Sequence, residues 1–154
     1  PALTMRRQGD ILSLQANLYR QLGTGMLDDA KKTLRSLIAD VPYSNKKLAS
    51  MDMEERYRLI ISTILNAIGI RVEVERMLAT GRIDLVAWLS RYIYVIELKL
   101  SNNGGIAAAE QQITTCGYTE PFKGDTRKVV GLAVELDSEG KGLIDWKVVE
   151  DRQL

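Results

Sequence analysis

Histidine is absent from this chain of 154 residues, and that absence removes more chemistry than any other single feature. Ser-His-Asp and Cys-His nucleophile systems, imidazole acid/base pairs and every histidine-containing metal site are excluded. Cysteine is nearly absent too. Cys116 stands alone, so neither an internal disulfide nor a thiolate zinc site can form within the chain. A lone thiol suits a reducing compartment, and a cytoplasmic location is expected. Long apolar runs are missing, and nothing approaches the roughly 18 residues of a membrane span. The opening PALTMRRQGD lacks the apolar core of a secretory signal. No GxxxxGK(S/T) phosphate loop occurs, which excludes a self-contained P-loop ATPase. Excess charge is lacking as well: 21 Lys and Arg face 20 Asp and Glu, a net charge of +1. Any hold on nucleic acid must therefore come from a local patch and not from the field of the whole molecule. Carboxylates, Lys, Tyr and Gln are what remain to carry chemistry. The first residue is Pro1 and not Met, as expected of a fragment of a longer protein or of a cloning remnant.

What is present is the composition of a single globular domain, 45% hydrophobic and 27% charged, able to bury roughly two thirds of its unfolded surface. Ile11, Leu14, Leu18 and Leu22 recur at helix spacing until Gly23-Thr24-Gly25 interrupts. A second helix is expected from about Leu27, with Asp28 and Asp29 in its first turn, until Val41-Pro42 stops it. Residues 43 to 50 (YSNKKLAS) read as a polar connector. A third helix from Asp52 to Ile68 places Tyr57, Ile60, Ile61, Ile64 and Leu65 on one face, with Gly69 as its stop. The period then changes. Val72 and Val74, RIDLVAWL (82 to 89) and YIYVIELKL (92 to 100) read as strands, the last two joined tightly at Ser90-Arg91. An Ala-rich helix is expected from about Ile106 to Tyr118, then strands KVVGLAVEL (128 to 136) and LIDWKVVE (143 to 150). The order implies an α/β fold, a mixed sheet with helices against it. Residues 1–50 are expected to be an N-terminal helical segment, the end of a linker from an upstream domain being one reading of it, and 51–154 the core.

Three residues sit oddly in their strands. Alternation puts Ile93, Val95, Glu97 and Lys99 on one face of YIYVIELKL, so a carboxylate and an ammonium end an apolar row. Asp84 is a lone acid inside RIDLVAW. A hairpin about Ser90-Arg91 brings Asp84 and Glu97 near one end of the sheet, since each lies six or seven residues from the turn. An ordinary strand ion pair and a strand-start acid would account for the same residues. Glu54 falls seven residues before Ile61, on the buried face of the third helix, whereas Glu55, Arg58 and Ser62 fall on the polar face. A first-turn acid favoured by the helix dipole is the alternative account of Glu54. Gln112 is the polar member of a face formed with Ala108, Ala109 and Cys116. Two carboxylates with a main-chain carbonyl and waters supply the hard oxygen ligands that Mg2+ or Mn2+ prefers. An adjacent Lys can orient a water and offset charge in a phosphoryl transition state.

With these residues the sequence resembles the PD-(D/E)xK nuclease superfamily, Ile83-Asp84 standing for the PD element and Glu97-Leu98-Lys99 for (D/E)xK. The segments GRIDLVAWLSRYIYVIELKL, EQQITTCGYTEPFKGDTRKVVGLAVELD and GLIDWKV are similar to the C-terminal nuclease-like domain that follows an AAA-type ATPase-like domain in bacterial proteins. The resemblance runs from about Leu27 to Asp151. It implies a restriction-endonuclease-like core, with Asp84 and Glu97 as metal ligands, Lys99 as the catalytic lysine, Glu54 as an acid beside the metal and Gln112 as the glutamine of the following helix. Mg2+ or Mn2+ is the implied cofactor, and nucleic acid, DNA before RNA, the implied partner beside an upstream AAA-type ATPase domain. Ile83 in place of Pro departs from the pattern but removes no ligand. Arg56, Arg58, Arg82, Lys123, Arg127 and Lys128 are candidate phosphate contacts. A noncatalytic binding or regulatory module that keeps the nuclease fold is the competing expectation.

Overall fold

The helix spacing that precedes the change of period becomes three helices in the computed structural model, which describes residues 2–42 and 49–149. These are α1 (Ala2–Thr24), α2 (Leu27–Ala39) and α3 (Met53–Ala67). Most of the expected connector at 43–50, and the chain from 150 onward, lies outside the described residues. Gly25, at φ +74, takes the left-handed backbone that ends α1 and lets α2 fold back on it. Asp52 caps α3, its side chain accepting the Glu55 N–H at 2.8 Å, so that Glu54 and Glu55 occupy the first turn, where acids suit the dipole.

Five strands follow the change of period: β1 (Arg71–Leu78), β2 (Gly81–Trp88), β3 (Tyr92–Leu100), β4 (Lys128–Leu136) and β5 (Leu143–Val149). They lie side by side in chain order. All neighbours are antiparallel except β3 and β4, which run parallel. A parallel pair requires a crossover, and α4 (Gly105–Thr115) supplies it, with a 3-10 turn at Glu120–Phe122. The sheet is thus mixed and flanked by helices, consistent with a restriction-endonuclease-like fold.

Alternation along β3 divides the interior in two. Tyr94, Ile96 and Leu98 join Leu85, Leu132 and Val134 under α1–α3, with Leu18, Leu22, Leu34, Ile61 and Leu65 packed on them. Ile93 and Val95 face the other way, onto Ala109, Ile113, Tyr118 and Phe122. Buried hydroxyls fasten the first layer. The Tyr94 hydroxyl donates to the Leu22 carbonyl at 2.6 Å, and the Tyr57 hydroxyl donates to the Asp137 carbonyl while accepting the Gly142 N–H.

Two expectations need correction. Arg58 and Ser62 are buried, not on a solvated face. The α3 surface next to Tyr57 and Ile61 packs against the β1–β2 side of the sheet, where acidic side chains offset the arginine's charge. The last sheet-bound helix also ends sooner than Tyr118. Its buried face runs through Gly105, Ala109 and Ile113, with Gln112 and Cys116 at the margin.

Candidate functional site

The β2–β3 hairpin sets the site. Its ladder pairs Leu85 with Ile96 and stops there, so the next residues along, Asp84 and Glu97, stand opposite each other where the strands part. Beyond the last rung the Leu98 N–H is accepted by the Asp84 carboxylate, Oδ2, at 2.9 Å. An acid thus replaces a carbonyl in the sheet. That explains how Asp84, only 2% exposed, is tolerated in an apolar strand: its hydrogen bonds and charge are met locally.

Arg58 makes the second contact to Asp84, Nη1 to Oδ1 at 3.4 Å, and its other nitrogen, Nη2, reaches Glu75 Oε1 at 2.6 Å. Glu97 is equally buried, and its Oε2 has no hydrogen-bond partner. Burial, and then the Asp84 carboxylate beside it, push the Glu97 carboxyl up to about 9, against a smaller lowering by Lys99. Glu54 is pushed up by the same two causes in the same order, again with Lys99 opposing. The four side chains therefore share one electrostatic environment, although they come from α3, β2 and β3.

They line a cleft of about 640 Å³ together with Gln112, Tyr118 and the turn at 78–82. The structure brings all five expected site residues, Glu54, Asp84, Glu97, Lys99 and Gln112, to this cleft. Hairpin register sets two of them, Asp84 and Glu97, opposite each other. Among the described residues, no three Asp, Glu, Cys or His side chains are grouped so that they could together hold a metal ion. Two buried carboxylates, one with an unpartnered oxygen, nevertheless have the chemistry of a hard-cation site, because Mg2+ and Mn2+ take few protein oxygens and keep several waters.

The candidate phosphate contacts do not converge in the same way. Arg82 lines the cleft, whereas Arg58 is buried against the acids and is not a surface contact. Lys123 pairs with Glu120 at 2.8 Å, and Arg127 lies over the Trp88 ring and beside Asp125.

Tyr118 is a site residue the sequence reading missed. Helix α4 ends in a Schellman turn: the Tyr118 N–H bonds the Ile113 carbonyl and the Gly117 N–H that of Thr114, with Gly117 left-handed at φ +59. This returns Tyr118 beneath the cleft. Its hydroxyl accepts the Gln112 Nε2–H at 3.0 Å and the Arg82 N–H at 3.1 Å, fixing both. Glycine just after the helical run was the available signal.

The sheet order, the hairpin acids and the lysine two residues beyond Glu97 agree with a family model that matches residues 52–146, the PD-(D/E)XK nuclease superfamily. The chain belongs to this superfamily. It is also 24% identical over 152 residues to an uncharacterized protein in the vnfD 5' region of Azotobacter chroococcum mcd 1, across 96% of this chain and 28% of that relative. The chain thus spans little more than a quarter of the relative's length. No described helix is long and apolar enough to cross a membrane. Superfamily members generally use divalent metals, and a nuclease-like function with nucleic acid as ligand is what membership suggests.

Proposed function

We propose that this chain is a divalent-metal-dependent nuclease module that hydrolyses phosphodiester bonds, with DNA the first substrate to test and RNA the second. The observation that carries the reading is the pair of buried carboxyls at the parting of β2 and β3, with Lys99 beside them in an open cleft. Asp84 and Glu97 would hold Mg2+ or Mn2+, with Glu54 at the cleft wall. The ion, when bound, supplies Lewis-acid activation of water and neutralises phosphate charge.

The chain's own residues do the rest. The Leu98 N–H fixes Asp84, so the ligand is oriented before anything binds. Lys99 places a positive charge next to both Glu54 and Glu97, where it can orient the attacking water and offset charge on the transferring phosphoryl group. Gln112, held by Tyr118, offers its carbonyl oxygen to that water. Arg82, on the rim, is placed to meet substrate phosphate. We place the catalytic core in 51–154, with 1–50 as its N-terminal helical segment, in a cytoplasmic setting.

A second reading, a noncatalytic nuclease-fold module serving a larger protein, is favoured by one fact, the much greater length of the relative. An upstream AAA-type ATPase domain is the companion we propose under either reading. Cleavage of supercoiled plasmid and labelled single strands with Mg2+ or Mn2+ separates the two, comparing the chain with Asp84→Ala and Lys99→Ala. Metal-dependent cutting that is lost in both folded variants supports the nuclease. Absence of both cutting and calorimetric metal binding in the wild type leaves the noncatalytic module.

A further inference from the structure

Arg58 is the one cation that touches the Asp84 carboxylate among the described residues. It is deeply buried, at 9% side-chain exposure, and it bridges two acids unequally. The contact to Glu75 is 2.6 Å and the contact to Asp84 is 3.4 Å. The firmer bond is thus made to the residue outside the cleft lining, and the looser one to the proposed metal ligand.

Glu75 is itself unusual. Its φ is +56, the only positive value at a non-glycine residue among those described. Left-handed backbone costs a residue with a Cβ about 1–2 kcal/mol, so other contacts must hold it there. Val74 and Arg76 pair with Leu85 and Ile83, while Glu75 between them drops out of the ladder opposite Asp84. The backbone departs from the strand where the acid meets Arg58.

A carboxylate buried as deeply as Asp84 needs a positive charge beside it. In the chain as it stands Arg58 supplies it to Asp84. A divalent cation arriving at Asp84 and Glu97 would bring two charges of the same sign as Arg58, to a site where the guanidinium already holds one carboxylate oxygen. Attraction to Asp84 would then be opposed, while the shorter bond to Glu75 stays intact. We propose that Arg58 is an exchangeable counter-ion: it holds Asp84 in place in the metal-free protein and gives up Oδ1 when metal binds, retained meanwhile by Glu75. Arg58 and Glu75 are positioning residues in this scheme, and the scheme rests on the metal site proposed above. Metal affinity is accordingly set in part by a competition within the protein.

The test is Mn2+ titration calorimetry with parallel thermal unfolding in EDTA, on the wild type, Arg58→Met, Glu75→Gln and the double variant. Arg58→Met removes the competitor and binds Mn2+ tighter by about tenfold. Its metal-free form melts roughly 10 °C lower, because Asp84 loses its partner. Glu75→Gln, a substitution of the same shape at a half-exposed position, loosens the outer hold on Arg58, leaves it to Asp84 and weakens Mn2+ binding several-fold. In the double variant the effect of Glu75→Gln shrinks to little, since it acts through Arg58. Single variants that leave Mn2+ affinity unchanged or shift it in the same direction overturn the exchange, as does a Glu75→Gln effect of full size without Arg58. If Arg58→Met does not fold, the direction of the Glu75→Gln effect decides alone. Binding in Arg58→Met but not in the wild type is the strongest form of support. Absence of Mn2+ binding in every variant overturns the metal site itself together with this proposal, whereas wild-type binding without the opposed shifts overturns this proposal only.

Discussion

Replacing Glu97 by glutamine is expected to stabilise the metal-free protein, and by an amount that depends on pH. The Glu97 carboxyl is pushed from 4.5 up to about 9, so between those values the native state keeps a proton that the unfolded chain has released. More protons are bound in the native state, and stability therefore falls as pH rises through this window. At about pH 7 the gap from 4.5 is about 2.5 pH units, and at about 1.4 kcal/mol per unit Glu97 costs about 3 kcal/mol relative to a neutral side chain of the same shape. For a chain of this size that is about 6–12 °C in Tm. Thermal unfolding in EDTA at about pH 5, 7 and 8.5 measures it. Glu97→Gln should match the wild type near pH 5 and pull ahead as pH rises, while losing the stabilisation that Mn2+ gives the wild type. Equal Tm values at pH 7, or a gap that stays constant with pH, would refute the reasoning.

Other substitutions probe how the cleft is held. Tyr118→Phe removes the acceptor for the Gln112 amide and the Arg82 N–H; denaturant unfolding should show a loss of about 1–3 kcal/mol, and plasmid cleavage should fall with it. Gly105→Ala puts a Cβ at a left-handed position and into the Glu135 carboxylate, which accepts the Ile106 N–H at the start of α4. A loss of about 2 kcal/mol is expected in thermal melts. Tyr94→Phe leaves the Leu22 carbonyl at the end of α1 without its donor, and should cost about 1–2 kcal/mol in denaturant without changing Mn2+ affinity.

How far the sequence was legible follows from which interactions are local. The β2–β3 hairpin could be counted from Ser90-Arg91, and its register does bring Asp84 beside Glu97, because period and turn length determine a hairpin. Glu54 was placed on the inner side of α3 by the same kind of arithmetic, and it lines the cleft. Arg58 could not be found this way. A helical period sorts residues by polarity, and an arginine counts as solvated unless its buried partners are known; those partners, Asp84 and Glu75, lie on other elements. Tyr118 escaped because apolar periodicity ran the helix past Gly117, whose left-handed turn redirects the chain. The unpaired backbone at Glu75 has no sequence signal, since nothing in RVEVERML distinguishes it from an ordinary strand.

That same backbone kink bears on how the protein keeps to itself. Strand β1 is an edge of the sheet, and an edge offers unpaired amides and carbonyls along which a second chain can lie. Val74 and Met77 are exposed on it, at 47% and 73%, which makes the strand an adhesive one in composition. The left-handed turn at Glu75 interrupts the strand at its fifth residue, between those two apolar side chains, and charged neighbours surround the break. A strand laid along it finds no regular run of more than four residues to pair with, so the residue that grips Arg58 also makes β1 a poorer template for a second chain.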